Sequence, residues 1–188
     1  GQVEANQLMM SKRDRETNAA NAKAAHDAVR GRKFSEADLI KRAAGRERLQ
    51  SLASDTERFL ASMLAERGLT PILQKAVGAY NIDIAIPPVA VEVYGGAWHA
   101  YGSHLARSRK RFDYLLNHGW AAVIVWIDTR YCPLSVQAAD YVVSYAEQVR
   151  SNPALIGQYR VILGSGKDMT VDGANLDHIS IKPSFARG

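Results

Sequence analysis

Residues 80–104 read YNIDIAIPPVAVEVYGGAWHAYGSH, and this stretch decides the fold. It predicts two apolar strands, 80–86 and 89–94, joined by a turn centred on Pro87 and Pro88. That turn would set Asp83 directly opposite Glu92. One face of the hairpin would then be aliphatic, formed by Ile82, Ile84, Ile86, Val89, Val91 and Val93. The opposite face would carry both acids, between Asn81 and Tyr94.

Two carboxylates facing each other across a strand pair repel, so something must compensate for their charge. A divalent cation does so, because hard ions such as Mg²⁺ bind through one or two carboxylates plus phosphate oxygens. Asp83 and Glu92 are therefore candidate metal ligands. The alternative is a solvated face on which both acids are ordinary surface residues.

Histidines follow the second strand. His99 comes seven residues after Glu92, beyond a Gly-Gly turn, and His104 comes five residues later. Near neutral pH a histidine can donate or accept a proton, so His99 could assist chemistry beside a metal–phosphate site. The alternative for each is a surface or capping histidine.

The remaining apolar periodicity predicts an α/β fold, a mixed β-sheet flanked by helices, with a basic helical N-terminal extension. We expect an extension at 1–53 and a main domain at 54–188. The predicted helices of the main domain cover 54–68, 103–119 and 133–153. Its further strands are expected within 70–77, 120–128 and 158–164, with a short one at 178–182.

Two helices have predicted apolar faces. The inward residues are Phe59, Leu60, Met63 and Leu64 in the first, and Leu105, Phe112, Leu115 and Leu116 in the second. The second helix also has a basic outer face formed by Arg107, Arg109, Lys110 and Arg111. This face either contacts DNA or is simply solvated.

Charge is concentrated near the N-terminus. Residues 1–54 hold 11 Lys and Arg against 7 Asp and Glu, within a chain of formal net charge +5. A basic arm indicates a polyanion partner such as nucleic acid, or else a solubilising terminus. The single cysteine excludes an internal disulfide, and no apolar run is long enough for a membrane span, so we expect a cytoplasmic protein.

The ordered motifs "NIDIAIPPVAVEVYGGAWH", "YLLNHGW" and "AAVIVW" resemble the PD-(D/E)XK nuclease superfamily. The resemblance is to its very short patch repair (Vsr)-like endonucleases and related phage and intron-encoded homing endonucleases. It covers roughly residues 54–128, and it implies a restriction-endonuclease-like core in a bacterial or phage-encoded protein. It also implies Mg²⁺ as cofactor, or Mn²⁺ in its place, and double-stranded DNA as substrate.

The resemblance assigns roles to individual residues. Asp83 matches the metal-binding aspartate, Glu92 the second acid, and His99 the general acid/base of the Trp-His motif. Glu57 stands where the family often has a glutamate that holds metal-bound water; otherwise it is an exposed helix carboxylate.

Two positions depart from the family pattern. Tyr94 replaces the superfamily lysine two residues after the second acid, which fits the histidine-using branch. Many relatives have an aspartate early in the next helix, where this chain offers Ser108 or His104.

The segment "VRGRKFSEADLIKRAAGR" resembles the nuclease-associated modular DNA-binding motif of homing endonucleases. Ser35 would cap a helix starting at Glu36, whose N-terminus can accept a phosphate. The residues expected to bind DNA here are Arg30, Arg32, Lys33, Ser35, Lys41 and Arg42.

These patterns together predict a metal-dependent DNA endonuclease of the homing type. The alternatives are a strand-nicking mismatch-repair or restriction-type nuclease, a catalytically decayed DNA-binding protein, and an α/β protein with merely exposed acids. A homodimer is left open, and residues 165–188 would complete the sheet or form a dimer contact.

Overall fold

The computed structural model describes residues 2–31, 33–50, 52–95, 102–171 and residue 176. Its helices are α1 (Gln2–Val29), α2 (Glu36–Leu49), α3 (Asp55–Glu66), α4 (Gly102–Asn117) and α5 (Val136–Ser151), with a short 3-10 helix at Pro153–Leu155. Its strands are β1 (Ile72–Val77), β2 (Tyr80–Ile86), β3 (Val89–Gly95), β4 (Ala121–Ile127) and β5 (Tyr159–Leu163). The predicted fold class and the order of these elements are confirmed, whereas the strand expected at 178–182 lies outside the described residues.

A five-stranded mixed sheet forms the centre of the fold, with the strands in chain order from β1 to β5. The first three strands form an antiparallel meander, and β4 and β5 add to it in parallel. Parallel neighbours need a crossover connection, and α4 and α5 provide the two crossovers. The carboxyl ends of β3 and β4 therefore share one end of the sheet.

Strand β4 explains why the sheet needs helices on both faces. All seven of its residues are buried, as its continuous apolar run predicted. Val123 and Val125 pack with α3 and α5, while Ile124 and Trp126 pack on the other face with Phe112 of α4. The sheet thus separates α3 and α5 from α4.

The register of the β2–β3 hairpin follows the prediction at Ile84↔Val91 and Ile86↔Val89, across a cis Pro87–Pro88 bond. One face assignment was wrong. Ile82 packs with Leu115 of α4, on the face opposite the one that Ile84 occupies.

The neighbouring strand has an irregularity at the same level. Gln74 of β1 has a φ of +53°, between the regular partners Leu73↔Ile84 and Lys75↔Ile82. A left-handed residue interrupts the in–out alternation of its own strand, here β1, and β2 loses its alternation between Ile82 and Ile84 at the same level of the sheet.

Helix α2 belongs to the sheet-containing unit. It begins directly after Ser35, as predicted, but the compact unit also begins at Glu36 rather than after residue 53. The Glu47 carboxylate accepts hydrogen bonds from Lys75 Nζ and the Ala76 amide, both at 2.8 Å. The side-chain amide of the buried Asn81 donates to the Ala43 carbonyl at 2.9 Å. These contacts fasten α2 to β1 and β2.

The apolar face of α3 is narrower than predicted. Leu60, Met63 and Leu64 are buried, but Phe59 is 55% exposed and lines an open cavity of about 350 Å³ with Leu134. Its position at the margin of the apolar stripe leaves its ring outside the core.

Helix α1 forms a separate unit with the residues up to Ser35. Its side chains from residue 16 to residue 28 are exposed, in keeping with a sequence that has no broad apolar stripe. Among the described residues, every helix is either too short or too polar to cross a lipid bilayer.

Asn81 should be critical for the position of α2, because its amide also donates to the Gln74 carbonyl at 2.7 Å. Asn81→Ala removes the side-chain donor to both carbonyls, and we expect it to lower the free energy of unfolding by about 2 kcal/mol. Urea denaturation measures the loss. The control is Asn117→Ala, an exposed asparagine on α4, with an expected change of about 0.5 kcal/mol or less. Equal effects of the two substitutions would contradict this role.

Candidate active site

Three carboxylates meet where β2 and β3 separate. Asp83 is the central one: it interacts electrostatically with Glu57 of α3 and with Glu92 of β3. The regular backbone pairing of β2 with β3 ends at Ile84↔Val91. Asp83 contacts β3 through its side chain instead, because its Oδ2 accepts a hydrogen bond from the Val93 backbone amide at 3.1 Å. The structure therefore brings Asp83 and Glu92 near each other, but the regular pairing does not include the predicted direct Asp83–Glu92 pair. Glu57 joins the two acids.

Glu92 has no exposed surface, and this is the most unusual feature of the cluster. Its Oε2 accepts a hydrogen bond from Arg111 Nη2 of α4 at 2.5 Å. Among the described residues no donor makes a hydrogen bond of good geometry to its Oε1, although the Asp83 backbone amide lies near enough to the carboxylate to lower its pKa. A buried carboxylate oxygen is costly unless it is paired, so this oxygen needs a proton or a cation.

The electrostatics of Glu92 agree with that requirement. Burial raises the pKa of Glu92 well above its usual value, and the Asp83 carboxylate raises it further, while Arg111 acts in the opposite direction. For Arg111, burial tends to lower the pKa, but Glu92 and Asp83 outweigh burial and raise it. Arg111 is thus held as a permanent cation beside a carboxyl group that binds a proton readily.

Arg111 does not have the position that was predicted for it. The sequence placed it on a solvent- or DNA-facing surface, whereas its side chain is only 23% exposed and faces the acids. Its spacing along α4 carries the missed signal, because it stands four residues before the buried Leu115 and therefore on the same helix face.

Both oxygens of Glu57 are oriented by neighbours. Ser54 Oγ donates to Oε1 at 2.9 Å, and Gln74 Nε2 donates to Oε2 at 3.0 Å. Ser54 also caps α3 by accepting the Glu57 amide at 3.2 Å, as the Ser-x-x-Glu spacing favours. Burial raises the pKa of Glu57, Asp83 raises it further, and the two hydrogen bonds partly offset this.

Tyr94, which follows Glu92 by two residues, is buried against Trp126 and Phe112. Burial raises its pKa to about 12, and its hydroxyl interacts with Ser108 and Arg111. Ser108 lies near the Tyr94 hydroxyl, and its predicted part in the site stays a prediction.

The structure describes the side chain of neither predicted histidine. His99 lies outside the described residues, and His104 lies near the start of α4 with its side chain outside them. Their assigned roles stay predictions.

The residues predicted to contact DNA lie on several elements. On α2 and α4 the exposed ones are Lys41, Arg42, Arg107, Arg109 and Lys110. Near the end of the α1 unit, Arg30 pairs with Asp27 at 2.8 Å, and Lys33 and Ser35 are exposed. Arg32 lies outside the described residues.

The donor set suits a hard cation. Asp83 and Glu92 Oε1 supply carboxylate oxygens, and Arg111 occupies only Oε2. Within the described part of the chain, no group of three or more Asp, Glu, His or Cys side chains is arranged to hold a metal. Two carboxylates nevertheless match Mg²⁺, which keeps several waters or phosphate oxygens in its coordination shell.

Comparison with known proteins identifies no relative: no family model, no curated protein and no solved structure matches this chain.

Protonation of Glu92 should be visible in the pH dependence of stability. Its pKa in the folded state lies above the usual 4.5, so the folded state binds the proton more tightly than the unfolded state. Without metal, this group's contribution to stability is present at low pH and is lost as the pH rises above 4.5 through the raised pKa.

Urea denaturation in EDTA from about pH 5 to about pH 8 compares the wild type with Glu92→Gln, in which the titrating carboxyl is absent. We expect the stability of the wild type to fall relative to that of the variant as the pH rises. Parallel curves would show that Glu92 titrates normally.

Proposed function

We propose that this protein is a metal-dependent DNA endonuclease that hydrolyses phosphodiester bonds. The observation that carries the proposal is the buried Oε1 of Glu92, which accepts no hydrogen bond of good geometry from the described residues and lies beside the Asp83 carboxylate. Burial favours the protonated forms of Glu92 and Glu57, whereas a divalent cation would favour their ionised forms and balance the net charge of −2 that three ionised acids and one guanidinium then have. Exposed basic side chains on α2 and α4 supply the positive surface that a DNA substrate requires.

Each residue of the cluster has a definite task in this proposal. Asp83 and Glu92 would hold Mg²⁺ or Mn²⁺, which when bound polarises the scissile phosphate and lowers the pKa of a water. Arg111 fixes Glu92 through Oε2, so Oε1 is the oxygen that would bind the metal ion. Glu57, with its raised pKa, would orient the attacking water, and His99 would transfer a proton to or from a reacting oxygen.

The resemblance in the sequence supports a narrower proposal, a Vsr-like endonuclease of the homing type that acts on double-stranded DNA. A strand-nicking mismatch-repair or restriction-type enzyme would use the same carboxylates. The product separates them, because a nicked circle indicates cleavage of one strand and a linear product indicates cleavage of both.

Plasmid cleavage with Mg²⁺, with Mn²⁺ and with EDTA tests the reaction. Asp83→Asn keeps an oxygen for the Val93 amide but removes the charge, and we expect it to reduce cleavage by about 100-fold or more. His99→Ala should reduce cleavage by roughly the same order, if this residue carries the proton.

Asp113→Asn is the matched control, since Asp113 is an exposed carboxylate on α4, and its cleavage should equal that of the wild type. Because a specific enzyme cuts only its own sequence, the substrate is a pooled plasmid library rather than one plasmid. Metal-independent cleavage, or full activity of Asp83→Asn, would falsify the assignment.

One observation favours a second candidate, a DNA-binding protein without catalysis. The Arg111–Glu92 pair already neutralises one acid internally, so the cluster also resembles a structural ion-pair network. That candidate predicts DNA binding without cleavage under any metal.

DNA binding through α4 should show in its salt dependence. Replacing Arg107, Arg109 and Lys110 together by Gln should reduce the slope of log K against log salt by up to about three, because each lost phosphate contact removes about 0.9. The control replaces Arg130, Arg150 and Lys167 by Gln, three exposed cations elsewhere, with the same change in net charge. If both triple variants change the slope equally, α4 is not the contact surface.

A further inference from the structure

Gln74 combines three properties that rarely occur together. It is polar and only 6% exposed, and it has a left-handed backbone with a φ of +53° inside a strand. Residues other than glycine avoid this conformation because their Cβ atom crowds the backbone. Strained residues of this kind concentrate where the local geometry serves a site.

The conformation changes the sheet face to which the side chain points. In a regular strand Gln74 would share a face with Ile72, which packs with Leu115 of α4. Its amide instead reaches Glu57 on α3, which lies across the sheet from α4. With the negative φ of an ordinary β-strand residue, the Gln74 side chain would point to the α4 face and lose its contact with Glu57.

We propose that Gln74 is a positioning residue of the candidate site, held in a strained backbone so that its amide orients Glu57 toward Asp83. This inference rests on the proposed function for its effect on cleavage. The place of Gln74 in β1 supports the proposal. Gln74 lies between the Leu73↔Ile84 and Lys75↔Ile82 pairs, and therefore level with Asp83, while its side chain donates to Glu57.

The hydrogen bond also affects protonation. Together with Ser54, Gln74 lowers the pKa of Glu57 and so opposes the effects of burial and of Asp83. Without Gln74 the pKa of Glu57 should rise, and activity that needs the ionised carboxylate should then be lost at a higher pH as the solution is acidified.

A second left-handed glutamine provides the matched control. Gln50 has a φ of +48° just after α2, where its backbone N–H donates to the Arg46 carbonyl at 2.7 Å. Replacing either glutamine by glycine relieves backbone strain, but only Gln74→Gly removes a donor to Glu57. A third variant, Gln74→Asn, tolerates the left-handed region but is one methylene too short to reach Glu57.

Three measurements are made on the full chain: the urea midpoint, the Mg²⁺-dependent cleavage rate, and an NMR titration of the Glu57 carboxyl carbon. For Gln50→Gly we expect wild-type cleavage and an unchanged Glu57 titration. For Gln74→Gly and Gln74→Asn we expect the titration midpoint to rise and cleavage to fall about 10- to 100-fold in fully folded protein.

A purely structural Gln74 would change the urea midpoint alone, and an unchanged Glu57 titration in both Gln74 variants would overturn the proposal. The titration needs no enzymatic activity, so it remains decisive if the wild type cleaves no DNA. In that case a shifted titration supports the positioning role while the endonuclease proposal fails.

Discussion

The pairing of Arg111 with Glu92 is the interaction on which the candidate site depends. A carboxylate without solvent is unstable as an isolated charge, and the guanidinium from α4 satisfies only one of its oxygens. The other oxygen is left to Asp83 and to whatever proton or cation lies between them. The same contact links α4 to β3 across one face of the sheet, so the fold and the chemistry of the site share a single ion pair.

From this pair the site extends through the sheet to its other face. Asp83 lies where β2 departs from β3, and it interacts with Glu92 on the α4 side and with Glu57 on the α3 side. The in–out alternation of the sheet is broken at this level, in β1 at the left-handed Gln74 and in β2 between Ile82 and Ile84. The acids are therefore assembled from three separate elements, each fixed by contacts outside the cluster.

Most of the fold could be predicted from the sequence, because its elements have strong local signals. The continuous apolar run of β4 indicated a strand covered on both faces, and the prolines of the hairpin set the register that brings Asp83 near Glu92. Three features escaped prediction for physical reasons. Gln74 carries no propensity signal for a left-handed conformation, and Ile82 changes face at the same level of the sheet. Arg111 faces inward because its attraction to the buried Glu92 offsets the cost of removing the guanidinium from water. The sequence does not reveal this partner, because the two residues meet only when α4 packs on the sheet.

The attachment of α2 has a consequence for any shortened form of this protein. Strand β1 is an outer strand, and the Glu47 carboxylate satisfies the outward amide of Ala76. At the opposite margin of the sheet, the chain after β5 turns back, so that the Leu163 amide donates to the Lys167 carbonyl at 2.9 Å. In a fragment beginning at residue 54, β1 would be an uncovered edge strand whose unpaired backbone groups could pair with a strand of another chain and cause aggregation. The basic segment that contains α2 thus also covers the outer edge of β1, and a fragment that folds alone should include α2.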